Sequence, residues 1–228
     1  MTNKEQQHTR VNKALLSKLE LSSLAWFAKR MPSWVTPDKL TLLGFLGTIL
    51  IGVSYFLTNQ NPAFLWLANL GLVINWFGDS LDGTLARFRK IERPRYGFFI
   101  DHTIDGLGEV IIMVGIGLSP YLDFRIAMVA LVGYLLLGNL VYITTYIRNE
   151  FRISYAGLSP TEVRLILILA NVMVFFLGNT KIQTGLGLYS VYDYIIIALI
   201  VLLFSIYLWM MYTHATQLVK EEEESRKK

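Results

Sequence analysis

No cysteine occurs among the 228 residues, which excludes disulfides and thiolate metal sites alike. Charge is scarce as well: Asp, Glu, Lys and Arg make up 17% of the chain, where a soluble domain carries roughly a quarter. The first 30 residues are polar and basic and hold no continuous apolar stretch of the secretory kind, so no signal peptide is expected. What fills the chain instead is apolar. Hydrophobic residues account for 54% and the mean hydropathy is +0.45. The few charges are bunched, and they separate apolar runs near the ~20 residues that cross a bilayer. One polytopic membrane domain follows, rather than two soluble ones.

Six spans are predicted, at residues 40–58, 63–86, 97–119, 126–147, 163–178 and 191–212. Backbone polar groups in lipid must be satisfied internally, so the spans are expected to be helices. Before them, VNKALLSKLELSSLAWFAKRMPSW (residues 11–34) sets apolar residues at helical spacing with Lys between them, the pattern of a helix lying in the membrane interface. The expected fold class is therefore all-α integral membrane, six transmembrane helices preceded by an interfacial amphipathic helix. Residues 1–36 are assigned to a cytoplasmic tail and that helix, 37–215 to the six-helix domain, and 216–228 to a charged cytoplasmic tail.

The basic residues orient the chain. Nineteen of the 21 Lys and Arg lie before the first span, in the 87–95 and 148–164 connections, or after the last span; the opposite loops hold only Arg125 and Lys181. Both termini and the two basic connections are expected on the cytoplasmic side, in the cytoplasmic membrane if the source is prokaryotic. Trp34, Tyr121, Tyr189, Trp209 and Tyr212 fall near span ends, as interfacial belts require.

Against this background the stretch GDSLDGTLARFRKIERPRYGFFIDHTIDGLGE (residues 78–109) is unusual, because it places carboxylates within two apolar spans. An Asp at a helix centre in lipid costs about 2.5–3.5 kcal/mol on insertion scales. Asp79 and Asp82 are three apart and Asp101 and Asp105 four apart, so each pair shares a helix face. The short connection predicts antiparallel neighbours whose acids converge at the cytoplasmic helix ends. Convergent carboxylates need a cation. Oxygen ligands without His or Cys suit a hard divalent ion, Mg²⁺ or Mn²⁺, and four carboxylates suit two ions about 3.5–4 Å apart, as in phosphoryl transfer. Two alternatives stand beside this: neutralisation by Arg87, Arg89 or Arg95, and a cation- or proton-coupled transporter using the same acids. Gly83, Ala86 and Gly97 lie on or near the acidic faces, as if a flat group approaches the backbone, although close helix packing uses small residues too. Arg87 is a candidate partner for phosphate oxygens.

The pattern Asp79-x2-Asp82-Gly83-x2-Ala86-Arg87, nine residues, then Gly97-x3-Asp101-x3-Asp105 resembles the signature of the CDP-alcohol phosphotransferases at all eight positions. The segment TPDKLTLLG (residues 36–44) resembles the family's Pro-Asn-x-x-Thr segment, with Asp38 in place of Asn. The resemblance covers residues 10 to 215 and implies a reaction: an alcohol hydroxyl attacks the β-phosphorus of a CDP-linked alcohol, a phosphodiester forms and CMP leaves. One of donor and acceptor is then a lipid, the active site is cytoplasmic, the protein is a homodimer, and no nucleic acid is a partner. Carried over by the resemblance, Asp79, Asp82, Asp101 and Asp105 ligate two divalent ions, and Asp105 is the general base. Gly83 and Ala86 pack against cytidine, Arg87 and Gly97 line the nucleotide site, and Thr41 joins it.

The two alcohols are less well marked. Asp101-His102 and Ser159-Pro160-Thr161-Glu162 resemble segments of the choline and ethanolamine phosphotransferases, where the His is a candidate base; an interfacial His pointing away from the acids is the alternative. Transfer to an alcohol phosphate needs an additional cationic pocket, for which Arg148, Arg152 and Arg164 are candidates, unless they serve as topology determinants at lipid headgroups. Glu109, one turn beyond Asp105, is a candidate contact for substrate, or else a Glu bonded to Asn139 or Asn171.

Overall fold

The structure, a computed structural model, describes residues 17–148, 160–184 and 187–226. Seven helices fall within these residues: α1 Ser17–Arg30, α2 Pro37–Leu57, α3 Phe64–Arg89, α4 Pro94–Gly117, α5 Phe124–Arg148, α6 Pro160–Leu177 and α7 Val191–Arg226. All six predicted spans fall on helices, and the described part of the predicted interfacial segment forms α1. The all-α expectation takes one amendment. Lys181–Thr184 (β1) and Gly187–Ser190 (β2) pair as an antiparallel hairpin between α6 and α7. At the C-terminal end, α7 continues as helix to Arg226 through the acidic run, whose residues are exposed.

Local chemistry sets several of the boundaries. Thr36 caps α2, its hydroxyl accepting from the Lys39 N–H at 3.3 Å, and Pro37 follows where a missing N–H costs nothing. α3 ends on Lys90 in the left-handed conformation (φ 56°, ψ 41°), and Ile91 N–H closes back on the Ala86 carbonyl at 3.0 Å, as in a Schellman turn. The chain thereby reverses within four residues and α4 starts at Pro94. Ser190 and Asp193 form a capping box at the head of α7: Ser190 Oγ accepts from the Tyr192 N–H at 3.1 Å, and Asp193 accepts from the Ser190 N–H at 2.7 Å. The other Asp193 oxygen accepts from the Asp123 N–H at 2.7 Å and ties α7 to the α4–α5 link. There Arg125 holds the Asp123 carboxyl below the usual carboxylate range by its hydrogen bond.

α2 lies between α3 and α4. Both α3 and α4 pack against it, and they have little contact with each other. This corrects the expectation of adjacent antiparallel spans. The approach to α2 is close because glycine faces glycine: a Cβ on Gly78 would stand 2.5 Å from the Leu40 carbonyl oxygen and press on the Gly44 backbone. On the other side, a Cβ on Gly115 would lie 2.6 Å from Gly52 Cα. In lipid such packing, not water exclusion, brings helices together. α1 rests on α3 through Leu24 and Ala28 against Leu81 and Leu85. α6 also rests on α3, while α5 joins α4 to α7. A buried polar chain pins α2, α3 and α6: Tyr55 Oη donates to Asn171 Oδ1 at 2.9 Å, and Asn171 Nδ2 to Asn69 Oδ1 at 2.7 Å.

Four of the helices, α2, α5, α6 and α7, are long and apolar enough to cross a membrane. α3 and α4 do not reach that standard, because they are the two that carry the acids and their flanking cations.

Candidate active site

α3 and α4 approach their shared link at one end of the bundle, and the acids are arranged in layers back from it. Nearest the link, Asp82 and Asp101 line a cavity together with Thr41, Gly83, Ala86 and Gly97. Six of the residues singled out from sequence thus meet there, contributed by α2, α3 and α4. One helical turn deeper stand Asp79 on α3 and Asp105 on α4, and Glu109 follows a turn deeper still. Asp82 lies within electrostatic reach of Asp79 and Asp101, and Asp105 within that of Asp79, Asp101 and Arg164. Asp105 itself is exposed on the isolated chain.

Each carboxylate of the first two layers with a defined partner has a different one. Asp82 is 6% exposed; Thr41 Oγ1 donates to its Oδ2 at 2.6 Å and the Gly83 N–H to its Oδ1 at 2.5 Å. Asp79 receives Arg164 Nη2 at 2.7 Å, across from α6. Arg164 Nε donates in addition to Asn75 Oδ1 at 2.8 Å, and Asn75 Nδ2 donates to Thr48 Oγ1 at 3.0 Å. The acids are therefore wired to α2 and α6 as well as to their own helices. From sequence, Arg164 is a candidate, with Arg148 and Arg152, for a cationic pocket or a topology determinant. Nothing local marks it as the partner of Asp79, 85 positions away.

The cation paired with Asp79 is thus Arg164, which is none of the three considered from sequence. Arg89 donates to the Met31 and Pro32 carbonyls at 3.1 and 2.8 Å and holds the end of α1. Arg87 lies back along α3, its Nη2 donating to Thr84 Oγ1 at 3.2 Å. Its guanidinium stands 3.3 Å from where a Cβ on the cavity-lining Gly83 would be. At the cavity mouth Asp38, the departure from the Pro-Asn-x-x-Thr pattern, pairs with Arg93, whose guanidinium lies 4.1 Å over the Tyr96 ring. Gly97 faces open space, and a Cβ added there would meet no atom within 4 Å. That leaves room for a ligand to approach the α4 backbone.

The remaining candidates separate from this group. His102 stacks on Phe98 at 4.1 Å and faces Tyr142 of α5 at 5.3 Å. Glu109 is hydrogen-bonded to Tyr134 of α5; Asn171, one of its two expected partners, is engaged by Tyr55 and Asn69 instead. Arg152 and Ser159 lie outside the described residues, as does the side chain of Arg148.

Among the described residues, no three acidic or imidazole side chains stand close enough together to hold one metal ion. Like charges keep apart until a cation joins them, and here Arg164 satisfies Asp79 while Thr41 and a backbone N–H satisfy Asp82. The donor set still fits a hard divalent ion, since every available ligand is a carboxylate oxygen and neither thiolate nor imidazole competes.

A family model described as CDP-alcohol phosphatidyltransferase matches residues 34–217. The chain is 29% identical over 157 residues to archaetidylinositol phosphate synthase of Pyrococcus horikoshii, covering 69% of this chain and 76% of that protein. It is 27% identical over 185 residues to cholinephosphotransferase 1 of Bos taurus, covering 77% of this chain but 45% of that protein. Phosphatidylinositol phosphate synthase of Cutibacterium acnes is 35% identical over 85 residues, 37% of this chain and 38% of the relative. The chain thus spans less than half the length of the cholinephosphotransferase it matches.

Proposed function

This integral membrane chain belongs to the CDP-alcohol phosphatidyltransferase family of enzymes, and from that membership we propose that it transfers a substituted phosphoryl group from a CDP-linked alcohol to the hydroxyl of a second alcohol, releasing CMP. One of the two alcohols is a lipid, either CDP-diacylglycerol as donor or a lipid acceptor for CDP-choline or CDP-ethanolamine. The observation that carries the reading is the meeting of Thr41, Asp82, Gly83, Ala86, Gly97 and Asp101, from three helices, around one cavity. In this reading α2 to α7 all span the bilayer, the cavity opens to the cytoplasm, and the protein works as a homodimer in phospholipid synthesis. The transporter alternative loses its ground with membership of a transferase family.

Asp79, Asp82, Asp101 and Asp105 are the residues to hold two divalent ions, Mg²⁺ or Mn²⁺. Such ions, when bound, neutralise phosphate charge and acidify a nearby hydroxyl. Thr41 and the Gly83 N–H fix the Asp82 carboxylate in one orientation. Gly97 and Gly83 keep the cavity wall low enough for the nucleotide to lie against the helices, with Ala86 beside it. Asp105 takes the proton of the acceptor hydroxyl. The acceptor oxygen then forms its bond to the β-phosphorus, the bond from that phosphorus to the bridging oxygen breaks, and CMP departs with the electron pair. Asp105 suits this role because it stands one turn from the cavity-lining Asp101. Arg164, held at Asp79, is a cation near the point where phosphate charge arrives. His102, stacked between aromatic rings, is better placed to pack α4 against α5 than to move a proton. Glu109 with Tyr134 marks the deepest polar layer, on the acceptor side of the reading.

The test crosses donors with acceptors. Purified protein is incubated with CDP-diacylglycerol, CDP-choline or CDP-ethanolamine, a set of alcohol acceptors and Mg²⁺ or Mn²⁺, and CMP is measured. Metal-dependent CMP release with a defined pair is expected. Folded protein that releases none with any pair contradicts the reading.

A further inference from the structure

One acid lies outside the cavity yet joins three helices. Glu20 stands in the first turn of α1. Its Oε1 accepts from Trp76 Nε1 at 3.0 Å and, at longer range, Ser80 Oγ at 3.4 Å, both on α3, and from Thr161 Oγ1 on α6 at 2.6 Å. The two α3 donors bracket Asp79, Ser80 directly following it and Trp76 one turn before. Thr161 stands three residues before Arg164, on a neighbouring face of α6. Arg164 in turn reaches back to Asp79 and Asn75. α3 and α6 are therefore joined twice within one turn, by Glu20 from α1 and by Arg164 from α6. Leu24 and Ala28 already seat α1 on α3 by apolar contact, so docking α1 does not require the carboxylate. Its particular effect is to hold the first turn of α6 against the acid-bearing turn of α3.

We propose that Glu20 is a positioning residue: by joining α1, α3 and α6 at one oxygen it sets the approach of Arg164 to Asp79, and with it the charge that Asp79 presents to the cavity. The effect on turnover rests on the transferase reading above; the effect on helix placement does not.

The absence of cysteine from the chain lets a pair of spin labels be introduced without background, at Leu21 of α1 and Ile166 of α6, both exposed. Glu20→Gln keeps an oxygen acceptor, and Glu20→Ala removes it. Wild type and Glu20→Gln are expected to share one narrow α1–α6 distance distribution, and Glu20→Ala to broaden or shift it. In parallel, kcat for CMP release is expected to fall about tenfold in Glu20→Ala, as small misplacements near a reacting centre do. KM for the CDP donor should stay within about twofold of wild type, and kcat of Glu20→Gln within about threefold. Should Glu20→Ala fail to fold, Thr161→Val removes the α6 donor alone and is expected to broaden the same distribution. An unchanged distribution, a changed one with wild-type turnover, or a Gln variant as impaired as the Ala variant overturns the proposal. If wild type releases no CMP at all, the transferase reading fails while the distance distributions still decide the helix placement.

Discussion

Asp105 and Asp82 show how two carboxylates of one signature come to differ. Asp82 is buried and fixed by Thr41 and the Gly83 N–H, an arrangement that holds a ligand still. Asp105 stands a turn deeper, with Arg164 and two other acids as its electrostatic surroundings, one turn from the cavity-lining Asp101. Replacing Asp105 by Asn removes the proton acceptor and preserves shape. Turnover should fall by about 10²–10⁴, the usual contribution of a general base, while nucleotide affinity largely survives. Steady-state CMP release and equilibrium binding of a CDP-alcohol separate the two effects, and wild-type turnover in Asp105→Asn removes it from the role of base. The acids themselves were legible in the sequence, since spacings of three and four put them on helix faces within otherwise apolar spans. The partners of Arg164 and Glu20 were not: they lie 85 and up to 141 positions away, and no local pattern reports a contact across three helices.

Among the elements, α3 and α4 pay for their acids in hydropathy and recover their place through α2. Glycine is what permits it, since Gly78 against Gly44 and Gly115 against Gly52 bring backbones together where any Cβ would intrude. A Gly→Ala exchange in an exposed helix gains up to about 1 kcal/mol in helix propensity. At Gly106, where no atom lies within 4 Å, that gain should stand and Ala should be neutral or stabilising. At Gly78 the new methyl meets backbone that cannot rotate away, so overpacking of about 1–3 kcal/mol should outweigh the gain. Thermal unfolding of the two variants in detergent decides the matter, and equal midpoints for Gly78→Ala and Gly106→Ala would contradict a backbone-contact seam. Helix positions were readable because apolar runs of the right length leave few alternatives in lipid. The order of packing was not. A short link made α3 and α4 look like packed neighbours, whereas the glycine faces direct both toward α2. The hairpin β1–β2 escaped notice because four-residue strands leave little trace beside an 18-residue helix.

For the whole molecule, we propose from the distribution of basic residues that the α3–α4 link and the cavity lie at the cytoplasmic end. In that reading the acidic layers run from that end toward the membrane interior, so a cytidine group in water and the lipid alcohol, whichever of the two alcohols carries it, meet at the same level. Three helices must stay in register for this to work, and the central claim is that they enclose a CDP-alcohol site between Thr41, Asp82 and Gly97. Gly97 offers the most direct test, because it faces open space and leucine there is a better helix former. Binding of a CDP-alcohol in the presence of Mg²⁺ is measured for wild type and Gly97→Leu alongside their thermal stabilities. The account predicts that Gly97→Leu keeps the stability of the wild type and loses nucleotide binding; wild-type affinity in a folded Gly97→Leu protein would place the nucleotide elsewhere and contradict it.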